Sequence, residues 1–399
     1  MSHPAKIGHV ALVGAGPGDP GLLTLRAAEL LRAANVVAYD ELVSEAILTM
    51  VPARAELLAV GRRIGQGAVT HRLHPEVKTR ALRGQRVVRL KAGDPLVFGR
   101  GGEEAEELAE AGIPFEIVPG ISAALGAAAY AGVPLTHRAH SAQVVFASGH
   151  RTDGGLPPPA ILGGRTLVLY MAAHELAANL AAVVENGWPP STPAALVASA
   201  TTHEERVVDG TLATLAATAA RLGVPRPRQP ALVLIGDVLE VRAKIDWRRH
   251  LPLRGRSVLV ARTRPGGSEI ARRLRDLGAV VMELPCVERH PLSAATLPVA
   301  QGAVASLAPA RWPSRVDVVV LPASLAALAL YSEAPESLLA APAVAIGPRT
   351  CNQALRAGAQ NVRAAPRATV DSLIDAVVAA LSPPVTTGGG AWVSEEAAL

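Results

Sequence analysis

Two loops rich in glycine, proline and aspartate are the residues of this chain best suited to holding a ligand. The first is GAGPGDP at residues 14–20, and the second is AGDP at residues 92–95. Each follows a short apolar run, and its glycine and proline residues end a strand there and leave backbone N–H and C=O groups facing outward. Two such loops within the first hundred residues predict one cleft built from strand ends.

The first loop invites comparison with the dinucleotide-binding fingerprint G-x-G-x-x-G. Asp40, roughly twenty positions further on, would match the ribose-binding carboxylate of that fingerprint. However, Asp19 occupies the position of the third glycine, and Pro17 and Pro20 prevent a helix from starting directly after the loop. A dinucleotide-dependent oxidoreductase is therefore the remote alternative.

Apolar runs and helical patterns alternate along residues 8–247, which predicts an α/β protein. In a first lobe, residues 8–119, Thr24 is placed to cap a helix that runs to Ala33, and the alternation predicts a mostly parallel sheet covered on both faces. In a second lobe, residues 120–247, we expect a mixed sheet. The strands predicted in the two lobes lie at residues 9–13, 36–39, 57–60, 86–90, 115–118, 143–147, 166–170, 194–198 and 231–235.

A charged, proline-containing segment without periodicity, residues 244–256, marks a firmer boundary. Beyond it the α/β pattern restarts, and we expect a third unit over residues 256–381 followed by a disordered tail over residues 382–399. The strands predicted in the third unit lie at residues 257–261, 280–284, 317–321 and 343–346.

Composition narrows the class of partner. The net charge of +5 would suit an anionic ligand, but the arginines are scattered and aromatic residues make up only 3% of the chain, so we expect no nucleic-acid partner. The apolar runs are too short for a membrane span, and the N-terminal stretch does not have the pattern of a signal peptide. Cys286 and Cys351 lie far apart without metal or redox spacing, so we expect reduced cysteines and a cytoplasmic protein. The pair His71 and His74 has no suitably spaced acidic or cysteine partner for a metal.

Several longer motifs in a fixed order carry a family resemblance. They are GAGPGDPGLLTLRA, YDELVS, VVRLKAGDPLVFGRGGEE, GIPFEIVPGISAALGAAAYAGVPLTHR and LVLYM. Together they resemble the uroporphyrinogen-III C-methyltransferases of the tetrapyrrole methylase family, over roughly residues 8–247. The resemblance implies two α/β lobes with S-adenosylmethionine in the cleft between them and two successive methyl transfers to uroporphyrinogen III, which give precorrin-2 for sirohaem and cobalamin. A related corrinoid methyltransferase is the alternative within the family, and a homodimer is expected.

The resemblance also implies roles for individual residues. Asp40 corresponds to the proposed general base, although a strand-end aspartate also suits the cap of a turn. His137 and Arg138 are expected to face substrate carboxylates. Three of these residues also have a structural alternative. Asp94 could stabilise its own loop, Ser122 could be a helix N-cap, and Met171 could fill the core. The residues expected to contact the methyl donor are Pro17, Ala92, Gly93, Asp94, Val97, Ser122, Ala123, Met171 and Ala200.

Three positions depart from the family pattern. Arg62 stands where the family has a lysine that is its proposed proton donor, and arginine can supply positive charge but does not release a proton near neutral pH. Ala92 and Ala200 replace glycines, and at Ala92 a Cβ would stand where the backbone is expected to approach the ligand. These changes leave a non-catalytic ligand-binding or scaffold protein as another alternative.

The third unit resembles uroporphyrinogen-III synthase. The similar stretches are VLVARTRPGGSEIARRLRDLGAVVMELP, AVAIGPRTCNQALRAGAQNV and ATVDSLIDAVVAAL. The synthase has two lobes, whereas residues 256–399 are too few for both, so we expect a partial synthase-like domain that is inactive alone. A bifunctional methyltransferase and synthase is the corresponding alternative.

Overall fold

The protein consists of three α/β units, each built on one five-stranded sheet. The computed structural model describes residues 7–61, 72–149, 164–262, 268–285, 312–313 and 315–381. The predicted tail, residues 382–399, lies outside the described residues. No helix of the described segments is long and apolar enough to cross a membrane.

The first unit is a parallel sheet with the strand order β3-β2-β4-β1-β5. Alternate residues of the central strand β1 enter two different cores, with Val10 and Leu12 in one and Ala11 and Val13 in the other, so both faces of the sheet are covered. Thr24 caps the first helix by accepting a hydrogen bond from the N–H of Ala27, as expected. The elements are β1 (His9–Gly14), a 3-10 helix (Pro20–Leu22), α1 (Leu25–Ala33), β2 (Val36–Tyr39), α2 (Glu45–Leu48), β3 (Glu56–Ala59), α3 (Pro75–Leu82), β4 (Arg86–Lys91), α4 (Gly101–Glu110) and β5 (Phe115–Val118).

The second unit is a mixed sheet with the order β6-β7-β10-β8-β9. Only β6 and β7 pair in parallel, and helix α5 packs its alanines against one face of the sheet. The edge strand β9 was not predicted, because its sequence RVVDGT has only two apolar side chains, at neighbouring positions, and so carries no apolar periodicity. The elements are α5 (Ala123–Ala131), β6 (Gln143–Ser148), β7 (Arg165–Tyr170), α6 (Leu176–Glu185), β8 (Pro193–Ala198), β9 (Arg206–Thr211), α7 (Leu215–Leu222), β10 (Ala231–Ile235), a second 3-10 helix (Asp237–Val241) and α8 (Arg242–Ile245).

The third unit is a parallel sheet with the order β12-β11-β13-β14-β15. This is the 2-1-3-4-5 order of flavodoxin-like folds, so the described residues close into one doubly wound lobe. The short edge strand β15 was not predicted, since three residues carry too little pattern. The elements are β11 (Ser257–Arg262), α9 (Glu269–Asp276), β12 (Val280–Pro285), β13 (Val318–Leu321), α10 (Ser324–Tyr331), α11 (Glu336–Leu339), β14 (Ala343–Ala345), α12 (Pro348–Arg356), β15 (Val362–Ala364) and α13 (Val370–Leu381).

The boundary between the second and third units is a packed segment. We call residues 246–256 the strap. The indole of Trp247 donates a hydrogen bond to the carbonyl of Ala129 at 3.0 Å, and the N–H of Leu253 donates to the carbonyl of Leu277 at 2.9 Å. Leu253 is fully buried in the core of the third unit. The strap is thus bonded to the units on both of its sides.

Candidate active site

The two glycine loops meet at the carboxyl edge of the first sheet. They follow the neighbouring strands β1 and β4 and pair through their backbones, since the N–H of Gly16 donates to the carbonyl of Gly93 at 3.1 Å and the N–H of Gly93 returns a bond to Gly16 at 2.8 Å. In open α/β sheets, ligands bind at this edge. The structure therefore brings together the two segments that the sequence singled out.

Glycine is required where three loops converge. A Cβ on Gly14 would lie 2.5 Å from the N atom of Gly120, and a Cβ on Gly120 would lie 2.2 Å from the carbonyl O of Gly93. Gly93 also has a φ of +68°, which glycine adopts without steric cost. The neighbouring Ala92 is not among the residues with positive φ, so the backbone itself accepts alanine there.

Asp40 follows β2 and is held by two cations. Its Oδ1 accepts a hydrogen bond from Arg89 Nη2 at 2.5 Å, and its Oδ2 lies 3.6 Å from Lys91 Nζ. Both cations also contact Glu104 of α4, at 3.0 Å and 2.9 Å. The side chains of Arg89, Lys91 and Glu104 are nearly inaccessible to solvent, whereas that of Asp40 is 26% exposed. Two cations and two carboxylates balance in charge, and Asp40 is the member that reaches solvent.

Sequence reasoning missed the other three members of this charge cluster, although a signal was present. Arg89 and Lys91 lie on one face of β4, a central strand in which five of six residues are buried. Charged groups are rarely buried unless they are paired, so two charges two residues apart in such a strand call for carboxylate partners. One Glu104 oxygen has no hydrogen-bond partner among the described residues.

Arg62, the position of the expected proton donor, lies outside the described residues. Its neighbour Gly61 packs directly on the Asp40 turn, because a Cβ on Gly61 would lie 2.5 Å from the N atom of Glu41 and 3.0 Å from the Cα of Asp40. The segment that follows β3 therefore lies in close contact with Asp40, the residue expected to act as the base.

The start of helix α5 joins the two lobes. Ser122 is its N-cap residue, but the hydroxyl of Ser122 does not cap the helix; it is 2.6 Å from the Tyr170 hydroxyl at the end of β7. The Tyr170 hydroxyl accepts the N–H of Ala124 at 3.1 Å and so takes the cap role. Tyr170 was not predicted as a site residue, since a tyrosine at the end of an apolar strand is expected in the hydrophobic core.

Asp94 stabilises its own loop. One carboxylate oxygen accepts the N–H of Leu96 at 2.8 Å, and the other accepts the N–H of Gly120 at 3.1 Å. The carboxylate thus ties the loop after β4 to the loop after β5, which is the structural role that the sequence left open.

Small side chains line the region between these loops. Pro17, Ala92, Val97, Ala123 and Ala200 are all half-buried, so part of each remains accessible. Within the described part of the chain, the backbone N–H groups of Ala92, Asp94 and Ala123 donate to no protein acceptor. Ala123 is the first residue of its helix, where the N–H has no partner within the helix. These amides are available to a ligand.

Strained backbone conformations gather around the same loops. Met171, directly after β7, has a φ of +57° and is 52% exposed, so it is not core filler. Phe98 in the loop after β4 has a φ of +53° and packs against Tyr170 with ring centroids 4.7 Å apart and the rings tilted by 45°. Ser199 and Thr201, on either side of Ala200, have φ values of +47° and +65°. Such conformations cost about 1–3 kcal/mol each and concentrate at functional sites.

Asp19, which occupies the third-glycine position of the dinucleotide fingerprint, stabilises the first glycine loop. Its Oδ1 accepts the N–H of Gly21 at 2.7 Å, and its own N–H donates to the Thr201 hydroxyl of the second lobe at 3.1 Å. Pro17 of the same loop packs on α5, since a Cβ on Gly126 would lie 2.5 Å from its ring. The loop is therefore clamped between the two lobes.

His137 and Arg138 lie in a turn before β6. The Nδ1 of His137 accepts the N–H of Ala139 at 3.2 Å, and its ring lies 4.8 Å from that of His140. Arg138 is exposed, and the neighbouring His140 lies 4.0 Å from a carboxylate oxygen of Glu240. Of the metal candidates, His74 caps α3 and His71 lies outside the described residues. Within the described segments, no group of three or more histidine, cysteine, aspartate or glutamate side chains is arranged to hold a metal.

Comparison with known proteins agrees with this geometry. Residues 9–216 match the family model of Tetrapyrrole (Corrin/Porphyrin) Methylases, and residues 247–375 match that of uroporphyrinogen-III synthase HemD. Siroheme synthase of Pseudoalteromonas atlantica is 46% identical over 249 residues, covering 61% of this chain and 53% of that protein. Siroheme synthase of Pseudomonas putida is 48% identical over 244 residues, covering 60% and 52%. The chain thus spans about half the length of the curated relatives it matches.

Solved structures give the same result for the first two units. The native uroporphyrin-III C-methyl transferase of Thermus thermophilus shares 39% identity and a TM-score of 0.50, with 59% of this chain and 100% of that chain covered. The same values hold for the complex of that enzyme with S-adenyl homocysteine. The predicted family and the α/β fold are confirmed: the chain belongs to the tetrapyrrole methylase family and carries a uroporphyrinogen-III synthase-like unit behind its methylase lobes.

Proposed function

We propose that this protein transfers methyl groups from S-adenosylmethionine to carbon atoms of uroporphyrinogen III, giving precorrin-2 on the way to sirohaem. The observation that carries the proposal is the junction of the two glycine loops with the start of α5 at the carboxyl edge of the first sheet. A Thermus thermophilus relative of the same two-lobed fold is solved with S-adenyl homocysteine, and the full-length curated relatives are siroheme synthases.

The residues present fit this methyl donor. Its adenosine and amino-acid parts are polar but compact, and the accessible surface here combines small side chains with the unpaired N–H groups of Ala92, Asp94 and Ala123. Pro17, Val97, Met171 and Ala200 would border it, with Gly93 and Ser122 shaping the loops behind. When bound, the donor supplies a sulfonium methyl group that a carbon nucleophile can accept.

The protein's own residues then have two tasks. The first is to hold the pyrrole carbon in line with the methyl group, which the rigid loop junction favours. The second is to take the proton that the substrate loses as the new C–C bond forms, and Asp40, the exposed member of the charge cluster, is proposed for it. Arg62 would contribute positive charge without releasing a proton. His137 and Arg138 would meet substrate carboxylates.

A methyl-transfer assay tests the proposal. The purified chain is incubated under anaerobic, reducing conditions with uroporphyrinogen III and S-adenosylmethionine, and products are followed by mass. We expect addition of two methyl groups together with release of S-adenosylhomocysteine. If the donor binds but uroporphyrinogen III gains no methyl group, the proposed reaction is wrong and the non-catalytic ligand-binding alternative is favoured. If neither molecule binds, the methyl-donor site itself is wrong.

For the third unit, a lack of synthase activity on its own stays a prediction. Its described residues form one lobe, whereas the resemblance to the synthase implies two. Supplying hydroxymethylbilane tests this, because formation of uroporphyrinogen III by the chain would establish the bifunctional alternative. A cytoplasmic homodimer also stays a prediction, and sedimentation of the purified chain would give its oligomeric state.

A further inference from the structure

A continuous chain of contacts runs from the strap to the first glycine loop. It starts at Glu205, in the turn between β8 and β9, whose side chain is only 6% exposed. One oxygen of Glu205 accepts Arg248 of the strap at 3.1 Å and lies 3.8 Å from Arg254, also of the strap. The other oxygen accepts the N–H of Thr201 at 2.9 Å.

Thr201 connects Glu205 to the first glycine loop. Its hydroxyl accepts the N–H of Asp19 at 3.1 Å, within GAGPGDP. Thr201 is β-branched and has a φ of +65°, a conformation that such residues rarely adopt. A strained residue persists only where its surroundings hold it, and Glu205 supplies the hydrogen bond that fixes its N–H.

Tyr130 of α5 forms a second connection between the strap and the first glycine loop. Its hydroxyl donates to Asp19 Oδ2 at 2.7 Å, and the guanidinium carbon of Arg248 stands 4.2 Å from the centre of its ring. Burial, and next the Asp19 carboxylate, raise the pKa of the Tyr130 hydroxyl, so it remains a proton donor at neutral pH. Arg248 is itself 3% exposed and thus holds both connections from one buried position.

We propose that Tyr130, Glu205 and Arg248 are positioning residues of the methyl-donor site, and that through them the strap makes the synthase-like unit a support for methyl transfer. The three side chains act through Asp19 and Thr201, which hold the loop of residues 14–20 between the lobes. The inference rests on the proposed function only in taking that loop to border the methyl donor.

The test is Tyr130→Phe, which removes one hydroxyl and keeps the ring beneath Arg248. We expect the dissociation constant of S-adenosylhomocysteine and the KM for S-adenosylmethionine to rise about fivefold, because a hydrogen bond to a charged carboxylate is lost, while kcat is unchanged. Titration calorimetry gives the first value and steady-state kinetics the others.

Tyr331→Phe is the matched control. Tyr331 is also buried, but its hydroxyl has no hydrogen-bond partner among the described residues, so its removal should leave donor affinity unchanged. Equal donor affinity in Tyr130→Phe and the original chain would overturn the proposal, as would a lower kcat at constant KM, which reports only a loss of folded enzyme. Failure of the original chain to bind S-adenosylhomocysteine would instead overturn the proposed function and this inference with it.

Arg248→Lys examines the strap directly and covers the case in which Tyr130→Phe does not fold. Lysine keeps the charge opposite Glu205 but lacks the planar guanidinium that lies 4.2 Å from the centre of the Tyr130 ring. We expect the same rise in KM with kcat unchanged, and Arg26→Lys, at an exposed pair with Glu116, should change neither. Unaltered donor affinity in Arg248→Lys would remove the strap from the site.

Discussion

Asp40 shows how one residue can serve both the fold and the chemistry. Its carboxylate completes a charge-balanced cluster with Arg89, Lys91 and Glu104, yet it alone of the four retains substantial contact with solvent. The cluster fixes the direction of the carboxylate, which is the condition for a proton acceptor to meet its substrate in a defined geometry. The family resemblance points to Asp40, but the partners that orient it are visible only in the structure.

Asp40→Asn separates these two roles. Asparagine retains the shape of the side chain and an oxygen for Arg89, but it cannot take a proton, so kcat should fall about a hundredfold or more while S-adenosylhomocysteine still binds. Steady-state kinetics and calorimetry give the two values. Asp371→Asn, at a carboxylate 77% exposed in the third unit, is the control and should retain full turnover. Undiminished turnover in Asp40→Asn would exclude it as the base.

At the scale of elements, the sequence predicts the strands better than it predicts their contacts. Most strands lie within one or two residues of their predicted positions, because buried parallel strands are apolar and end at glycine or proline. The edge strands β9 and β15 were missed because β9 is only partly apolar and β15 has only three residues. The junction of three loops at Gly14, Gly93 and Gly120 depends on strand order, which short-range patterns do not contain.

Gly120→Ala tests that junction. The added methyl group would stand 2.2 Å from a backbone oxygen that cannot move without breaking the pairing of Gly16 and Gly93. We expect the free energy of unfolding to fall by about 1–3 kcal/mol, the usual cost of overpacking, with weaker donor binding. Gly102→Ala is the control, since a Cβ there meets nothing within 4 Å and alanine favours helix α4. Equal melting temperatures of the two variants would contradict the close approach.

At the scale of the whole molecule, the three units share one junction near His203, in the turn between β8 and β9. Burial lowers the pKa of His203, and the Arg315 guanidinium of the third unit lowers it further. Three carboxylates act in the opposite direction, one on the same turn, one in the third unit and one in the first; they are Glu204, Asp317 and Glu45. Protonation of His203 is therefore less favourable in the folded protein than in the unfolded chain.

This linkage predicts acid sensitivity of the assembled protein. As the pH falls below about 6.5 the unfolded chain binds a proton on His203, whereas the folded protein resists protonation down to its lower pKa. The free energy of unfolding is therefore unaffected by His203 well above about pH 6.5 and falls as the pH drops from there toward the lower pKa of the folded protein. Scanning calorimetry should show a melting temperature that drops between pH 7.5 and 5.5, and less steeply in His203→Gln. The control is His250→Gln, at an exposed residue of the strap, and its melting temperature should depend on pH as that of the original chain does. Since Arg315 and Glu45 belong to different units, an unchanged slope in His203→Gln would mean that acid acts within the single units and not at their junction.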